Sequence, residues 1–540
     1  MTYRTLRFSL LLSLLALSFA TFGQANFPLE SDPLAATFFA RQIESDKLKQ
    51  HIQKLTSAEF GGRETGSVGI DLAASYLQGK WREWGIRFCP GTNSYEQEVT
   101  FSWSKWEEIT FDVGKTSYEH MKDFISLPEQ NRNVPDLHII DDIVFLGYGI
   151  DDENYSDYRL ANVDGDVVMI YPGEPFDPEN ISHVTGSKNA SDWSANFQLK
   201  IAAANRAGVE TLLVVDPFIL KRIGDNRNAV QQTLTFSDRN KKSEEVNIIY
   251  ISTDIAENII GRKKNSFVRN RNRITNTGVG RPLHLRCKAS IRQKLSGRTL
   301  KGSNLLGYIE GTDPLLRDEV VVLSAHYDHL GTRGASIYPG ADDNGSGTAA
   351  VMEIMRVLGR ASQEGEGPMR SVLGILFTAE EKGLLGSKYY SENPTVPLAK
   401  IVADVNVDMI GRSDQKHKDD PNYIYVIGSD RLSTTLHKIN ESTNNAYSRI
   451  HFDYTYNERD DPNRFYYRSD HYNFAKHGIP SIFFFSGVHQ DYHQPGDTED
   501  KIMYPKYTAV TKHIFHTLWE IANRKERLVV DVEDETIYDR

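Results

Sequence analysis

Four short apolar runs mark the C-terminal half of the chain: Val320–Leu323, Val372–Phe377, Ile401–Val407 and Ile479–Phe485. None alternates strictly between apolar and polar positions, which predicts parallel strands covered on both faces. Between the first two, Val351, Ile354, Met355 and Leu358 fall on one helical face. Strands and helices in that succession predict an α/β fold, an open mixed, mostly parallel sheet flanked by helices. Earlier in the chain, Ile70, Ala73, Ala74, Leu77, Trp81 and Trp84 recur at helical spacing and read as a stripe packed on a core.

Between 116 and 285 the pattern changes. Short strand candidates at 142–146, 167–170, 211–215 and 248–251 alternate with polar loops and one helix near 197–207. No cluster of ligand-type or nucleophilic residues occurs there, so this stretch reads as an inserted, smaller, β-rich α/β module. Residues 24–115 and 286–527 then form the two parts of one interrupted domain, and 528–540 an acidic, mobile tail. A basic stretch from Arg262 to Arg273 contains one aromatic, Phe267, and reads as a solvated loop rather than a nucleic-acid surface.

The 540 residues exceed what one compact core organises, which agrees with this division. A formal net charge of −11 argues against nucleic acid and anionic membranes as partners. At the N-terminus, Arg4 and Arg7 precede an apolar run from Phe8 to Ala20, thirteen residues and too short to span a bilayer. That predicts a signal peptide over 1–23, cleaved after Gly23, and an exported protein, periplasmic or secreted, without a stable membrane anchor. The two cysteines, Cys89 and Cys287, fit either a disulfide or two separate buried residues.

The apolar runs end in chemistry. After the first come His326 and Asp328; fourteen residues past His326 begins the turn Gly340-Ala-Asp-Asp-Asn-Gly345; then Glu380-Glu381, Asp408 and Tyr492-His493. The carboxyl ends of parallel strands are where ligand sites form. One such residue is explained by turn chemistry, but one after each consecutive buried strand is not. Hydrolysing a peptide bond requires a polarised carbonyl, a water activated near neutral pH and a proton for the leaving amine. Two metals about 3.5–4 Å apart, sharing a carboxylate, meet the first two needs. His326 and Asp408 suit one metal, Glu381 and His493 the other, and an aspartate of Ala341-Asp-Asp-Asn344 the bridge. Asp328 is spaced to accept the second N–H of the His326 imidazole. Glu380 is then left as general base and acid.

These five segments, in this order and spacing, resemble metallopeptidase family 28, the co-catalytic zinc aminopeptidases and their glutamate carboxypeptidase relatives, over 24–115 and 286–525. Gly62-Arg-Glu-Thr-Gly66 resembles that family's N-terminal entry motif, and 116–285 its inserted protease-associated domain. The resemblance implies Asp343 as the bridging ligand, followed by a cis peptide to Asn344, with Glu380 as base and Glu381 as ligand. It implies Tyr492 as donor to the developing oxyanion, and places Arg468 and Asp470 at the substrate pocket. The implied protein is a dinuclear exopeptidase with two Zn2+ per chain, or other divalent metals, acting on peptide substrates as an aminopeptidase. Carboxypeptidase or dipeptidase activity, with Arg464 and Arg468 as a carboxylate clamp, and glutaminyl cyclase activity, with one zinc, are the alternatives. The inserted module is expected to wall or cover the active-site mouth.

Overall fold

The computed structural model describes residues 27–128, 135–221, 232–236 and 246–534. The expected signal peptide lies outside them. Fifteen strands among the described residues form one continuous sheet. Its C-terminal part is built from Val320–His326, Ser371–Phe377, Ile401–Val407 and Ser481–Phe485. Val320–His326 lies parallel between Ser371–Phe377 and Ile401–Val407, and Ser481–Phe485 runs parallel to Ile401–Val407. All four are buried along their whole length, in keeping with their mainly apolar character. The last begins at Ser481 rather than Ile479, because Pro480 has no N–H to give a ladder. The parallel register brings the ends of these strands, and the residues that follow them, to one edge.

Helices cover the sheet. Gly347–Gln363 buries Val351, Ile354, Met355 and Leu358 completely, and Tyr504–Asn523 packs into the same core. Of the stripe on helix Val68–Glu83, Ile70, Ala73, Ala74, Leu77 and Trp81 are buried in that core and Trp84 packs against it. Each buried Leu or Ile contributes about 1.5–3 kcal/mol by leaving water.

Two long strands went unread in the sequence. Glu96–Val113 (18 residues) and Leu283–Ile309 (27 residues) pair antiparallel from Glu96 opposite Leu305 to Val113 opposite Ala289. Midway along the first, Lys105, Glu107 and Glu108 are all exposed, so the apolar pattern is interrupted where the ladder passes between two cores. The chain enters region 116–285 along the first strand and returns along the second. Within that region Leu137–Phe145, Val167–Ile170, Thr211–Val215 and Asn247–Ile251 lie side by side and all parallel, with helix Phe197–Arg206 packed on them.

Two expectations need correcting. The basic stretch is no loop: Lys264–Thr277 is a helix that buries Phe267, Asn270 and Ile274, with the Arg271 guanidinium 4.3 Å from the Tyr171 ring. The tail is docked over its described part. Leu528 is buried, Asp531 accepts from Thr434 N at 2.8 Å, and Asp534 sits between Arg431 at 3.3 Å and Arg459 at 3.0 Å. Cys89 and Cys287 form no disulfide; they belong to different cores. No described helix is long and apolar enough to cross a membrane.

Candidate metal centre

At the shared strand edge, ligand-type side chains gather into two groups. His326 ends its strand with its side chain 1% exposed, and its Nε2 lies 3.4 Å from Asp408 Oδ1, 3.6 Å from Asp343 Oδ1 and 3.7 Å from Glu380 Oε2. His493 Nε2 lies 3.1 Å from both Asp343 Oδ2 and Glu381 Oε2. Asp343 therefore presents one oxygen to each group, which is the geometry of a bridging carboxylate. Asp342 is turned away, accepting from Gly411 N at 2.6 Å and Ser346 Oγ at 2.9 Å. The peptide between Asp343 and Asn344 is cis.

Zinc ligands at about 2.0–2.1 Å in a tetrahedron stand about 3.3 Å from one another. The spacings of 3.1–3.6 Å between the ligand side chains fit such a centre. Asp343 Oδ2 and Asp408 Oδ1 are buried with no hydrogen-bond partner among the described residues. Two orphaned carboxylate oxygens facing histidines would cost several kcal/mol unless a cation joined them. The other oxygen of Asp408 accepts from Ser469 Oγ at 2.7 Å, which aims the free one at His326.

Residues 304–518 match the family model for peptidase family M28. Over that stretch the chain is similar to the M28 peptidases. Over 231 residues, 42% of this chain and 46% of the relative, it is 29% identical to aminopeptidase YwaD from Bacillus subtilis (strain 168). Over 194 residues, 36% of this chain, it is 35% identical to leupeptin-inactivating enzyme 1 from Streptomyces exfoliatus, of which it spans 37%. The chain thus spans about half or less of the length of these curated relatives. The solved structure of the aminopeptidase from Aneurinibacillus sp. strain AM-1 shares the fold, with a TM-score of 0.55 at 18% identity over 92% of this chain and 98% of that one.

The loops that carry these side chains are held in costly backbone conformations. Ala379, next to Glu380, Met409, next to Asp408, and His493 itself all have φ between 52° and 56°. Each costs about 1–2 kcal/mol for a residue with a Cβ, and such strain collects at functional sites. Asn344 ties these loops together, accepting from Gly347 N at 2.8 Å and Met409 N at 3.2 Å and donating to Val407 O at 2.9 Å.

Two assignments read from the sequence change. The Asp328 carboxylate is 3.7 Å from His326 Nδ1, beyond hydrogen-bond reach, and the nearer acceptor is the Asp328 main-chain oxygen at 3.2 Å. The carboxylate instead accepts from Glu380 N at 3.0 Å and Thr65 Oγ1 at 3.3 Å, so Asp328 positions the Glu380 loop. Asp470 is fully buried, does not line the pocket beside the ligands, and has neither carboxylate oxygen hydrogen-bonded. Burial raises it to about 7, and its charge in turn opposes ionisation of Glu380. It acts from beneath the site, not on a substrate. Arg468 does line the pocket, with Nη2 donating to Tyr492 Oη at 3.4 Å, and the Tyr492 ring stacks 3.8 Å from His493.

The adjacent glutamates differ in electrostatics. Burial, reinforced by Asp470, Asp408 and Glu381, pushes Glu380 well above the usual carboxylate range, against the pull of His326. Glu381 is just as buried, yet hydrogen bonds from His329 and His493 hold it well below that range.

Three residues of the site escaped the sequence reading. His329 is fully buried and its Nδ1–H donates to Glu381 Oε1 at 2.7 Å, leaving Oε2 for the centre. Asp497 Oδ2 accepts the N–H groups of Asp342 at 3.0 Å and Asp343 at 3.1 Å, fixing the bridging loop. Arg63, wholly buried, donates to the carbonyls of Leu55, Tyr327, Pro339 and Gly340 at 2.7–2.9 Å. The Gly62 before it is required, because a Cβ there would strike the carbonyls of Tyr338 and Gly331. A signal existed for His329, which lies three residues past His326 on the same strand exit. Arg63 lies inside the Gly62–Gly66 motif, but neither it nor Asp497 carried a sign of its partners, which are main-chain atoms mostly far along the chain.

Proposed function

We propose that the protein is a dinuclear zinc exopeptidase that removes N-terminal residues from peptides. The observation that carries this reading is Asp343, which presents one oxygen to His326 and the other, buried and orphaned, to His493. His326 and Asp408 would hold one zinc and Glu381 and His493 the other, with Asp343 between. When bound, the two ions polarise the scissile carbonyl and make a water nucleophilic near neutral pH. Glu380 accepts the proton of the attacking water and delivers it to the leaving nitrogen as the C–N bond breaks. A carboxyl group raised by burial suits both halves of that transfer. Tyr492, held by Arg468, donates to the oxyanion as it develops. A free α-amine finds its counter-charge at Glu380 and Asp408.

Met409, Phe465, Phe483, Phe485 and Val488 line the same pocket, which favours an apolar N-terminal side chain. The curated relatives named above are called aminopeptidase and leupeptin-inactivating enzyme, which agrees with this direction. A carboxypeptidase clamp draws less support: Arg464 packs on Tyr467 and only Arg468 of the two arginines lines the pocket. Export remains part of the proposal, on the N-terminal segment alone.

The test is metal content with substrate choice. Elemental analysis of active protein should find two zinc ions per chain, and chelation should abolish hydrolysis of a leucine anilide until zinc is restored. An N-acetylated leucine peptide and an acidic dipeptide, run alongside, should be poor substrates. One metal per chain in fully active protein would refute the dinuclear centre, and preference for the acetylated peptide would refute the aminopeptidase.

A further inference from the structure

Glu381 lines a second cavity as well as the small pocket beside the ligands. This one has a volume of about 690 Å³ and lies between the M28 part and the inserted region. One wall comes from the long strand pair and from strand Gln232–Phe236 of the insert, which pairs with Glu96–Val113. The opposite wall comes from the Glu64–Ser67 loop and the Leu330–Arg333 segment, with Lys382 and Gly383 continuing from Glu381. The volume is within the range of about 300–1,000 Å³ of ligand clefts. Because Glu381 borders both spaces, the trench adjoins the metal centre.

Its charge is distinctive for a chain with a net −11. Glu64 is neutralised by Lys382 at 2.8 Å, and Glu381 is committed to the metal centre. Arg298 and Arg333 also line the trench, and neither has a carboxylate partner among the described residues. Arg298 lies opposite Trp103 in the ladder with its guanidinium 5.0 Å from the indole, and Arg333 sits 5.2 Å from the Tyr338 ring. Stacking fixes a guanidinium plane while leaving its N–H edge free, the presentation suited to a carboxylate. Leu234, Leu300 and Leu330 supply apolar surface between these charges.

We propose that this trench receives the part of the peptide on the C-terminal side of the scissile bond, and that Arg298 and Arg333 select a carboxylate on it. The proposal rests on the aminopeptidase reading and gives it a substrate class: short peptides whose free C-terminus, or an acidic side chain, reaches the arginines. It also gives the insert a part in binding, as one wall of the trench.

The test compares acid and amide forms of one peptide. With zinc-loaded full-length protein, Leu-Gly-Gly-Gly should exceed its C-terminal amide in kcat/KM by roughly tenfold, the scale of two exposed ion pairs. In the Arg298→Gln/Arg333→Gln double variant that ratio should fall to about one, and in wild type it should shrink with added salt. A second pair, Leu-Gly-Glu-Gly amide against its Gln form, separates side-chain from C-terminal carboxylate recognition. The proposal is overturned if the wild-type ratios of both pairs are near one, or if they are high and survive in the double variant. The same pairs are also read as Kd on the Glu380→Gln protein. A chain that hydrolyses no N-terminal leucine would sink the aminopeptidase reading, while the binding ratios would still decide the trench.

Discussion

Arg63 offers the most demanding check on how the site is held. Its guanidinium is wholly buried, and burial lowers it to about 10 against the opposing pull of Asp328, Asp343, Asp497 and Glu381. Its four hydrogen bonds end on carbonyls from three separate places: the end of a helix at Leu55, Tyr327 between His326 and Asp328, and Pro339 and Gly340 before the bridging loop. Arg63→Met keeps the volume and removes all four donors. A buried acceptor left unpaired costs about 1–3 kcal/mol. Gly340 O keeps a bond from Gly345 N, so three acceptors bear most of the loss. The expected destabilisation is about 4–6 kcal/mol, which at roughly 2 °C per kcal/mol for a large domain lowers Tm by about 8–12 °C. Zinc content should fall as well, because both His326 and Asp343 lose the backbone that aims them. Arg63→Lys, with a compact ammonium in place of the fork, should recover part of the Tm but not all of it. The assays are thermal melting by circular dichroism and elemental analysis of the same sample. A drop of less than about 3 °C with full zinc content would refute the reasoning.

Three further outcomes follow from particular contacts. Glu380→Gln should keep both metals and lose about 10²–10⁴ in kcat, whereas Glu381→Gln should lose metal; loss of metal from Glu380→Gln with turnover rescued by excess zinc would exchange their roles. His329→Ala removes the donor on Glu381 Oε1, and zinc affinity measured by chelator competition should weaken by about 10–100-fold; unchanged affinity would leave His329 a packing residue. Burial lowers the buried, neutral His513 to about 3, below its ordinary 6.5, so the folded protein binds fewer protons there than the unfolded chain. The stability this contributes is complete above pH 6.5 and is lost as pH falls toward 3, by about 1.4 kcal/mol per unit. His513→Gln should therefore flatten the fall in Tm between about pH 6.5 and 4.5 relative to wild type, and parallel curves would count against it.

Local pattern alone carried the four parallel strands, the helix Gly347–Gln363 and the stripe ending at Trp81, because a strand or helix buried on a core needs apolar residues at its own period. It also brought out His326, the Glu380-Glu381 pair, Asp408 and His493, since each follows a strand or a turn whose position was already legible, while choosing Asp343 over Asp342 and dividing the glutamates into base and ligand took the resemblance to a known family. Proximity in sequence could not say what Asp328 or Asp470 touch. Tertiary packing turned the first toward the Glu380 loop and sealed the second beneath the site. The long strands were hidden because a ladder passing between two cores exposes its middle and so breaks the apolar rhythm. What Arg63 and Asp497 hold was hidden for a different reason: each serves main-chain atoms, most of them far along the chain. A carbonyl or an amide carries no residue identity, so only the folded chain shows which side chain meets it.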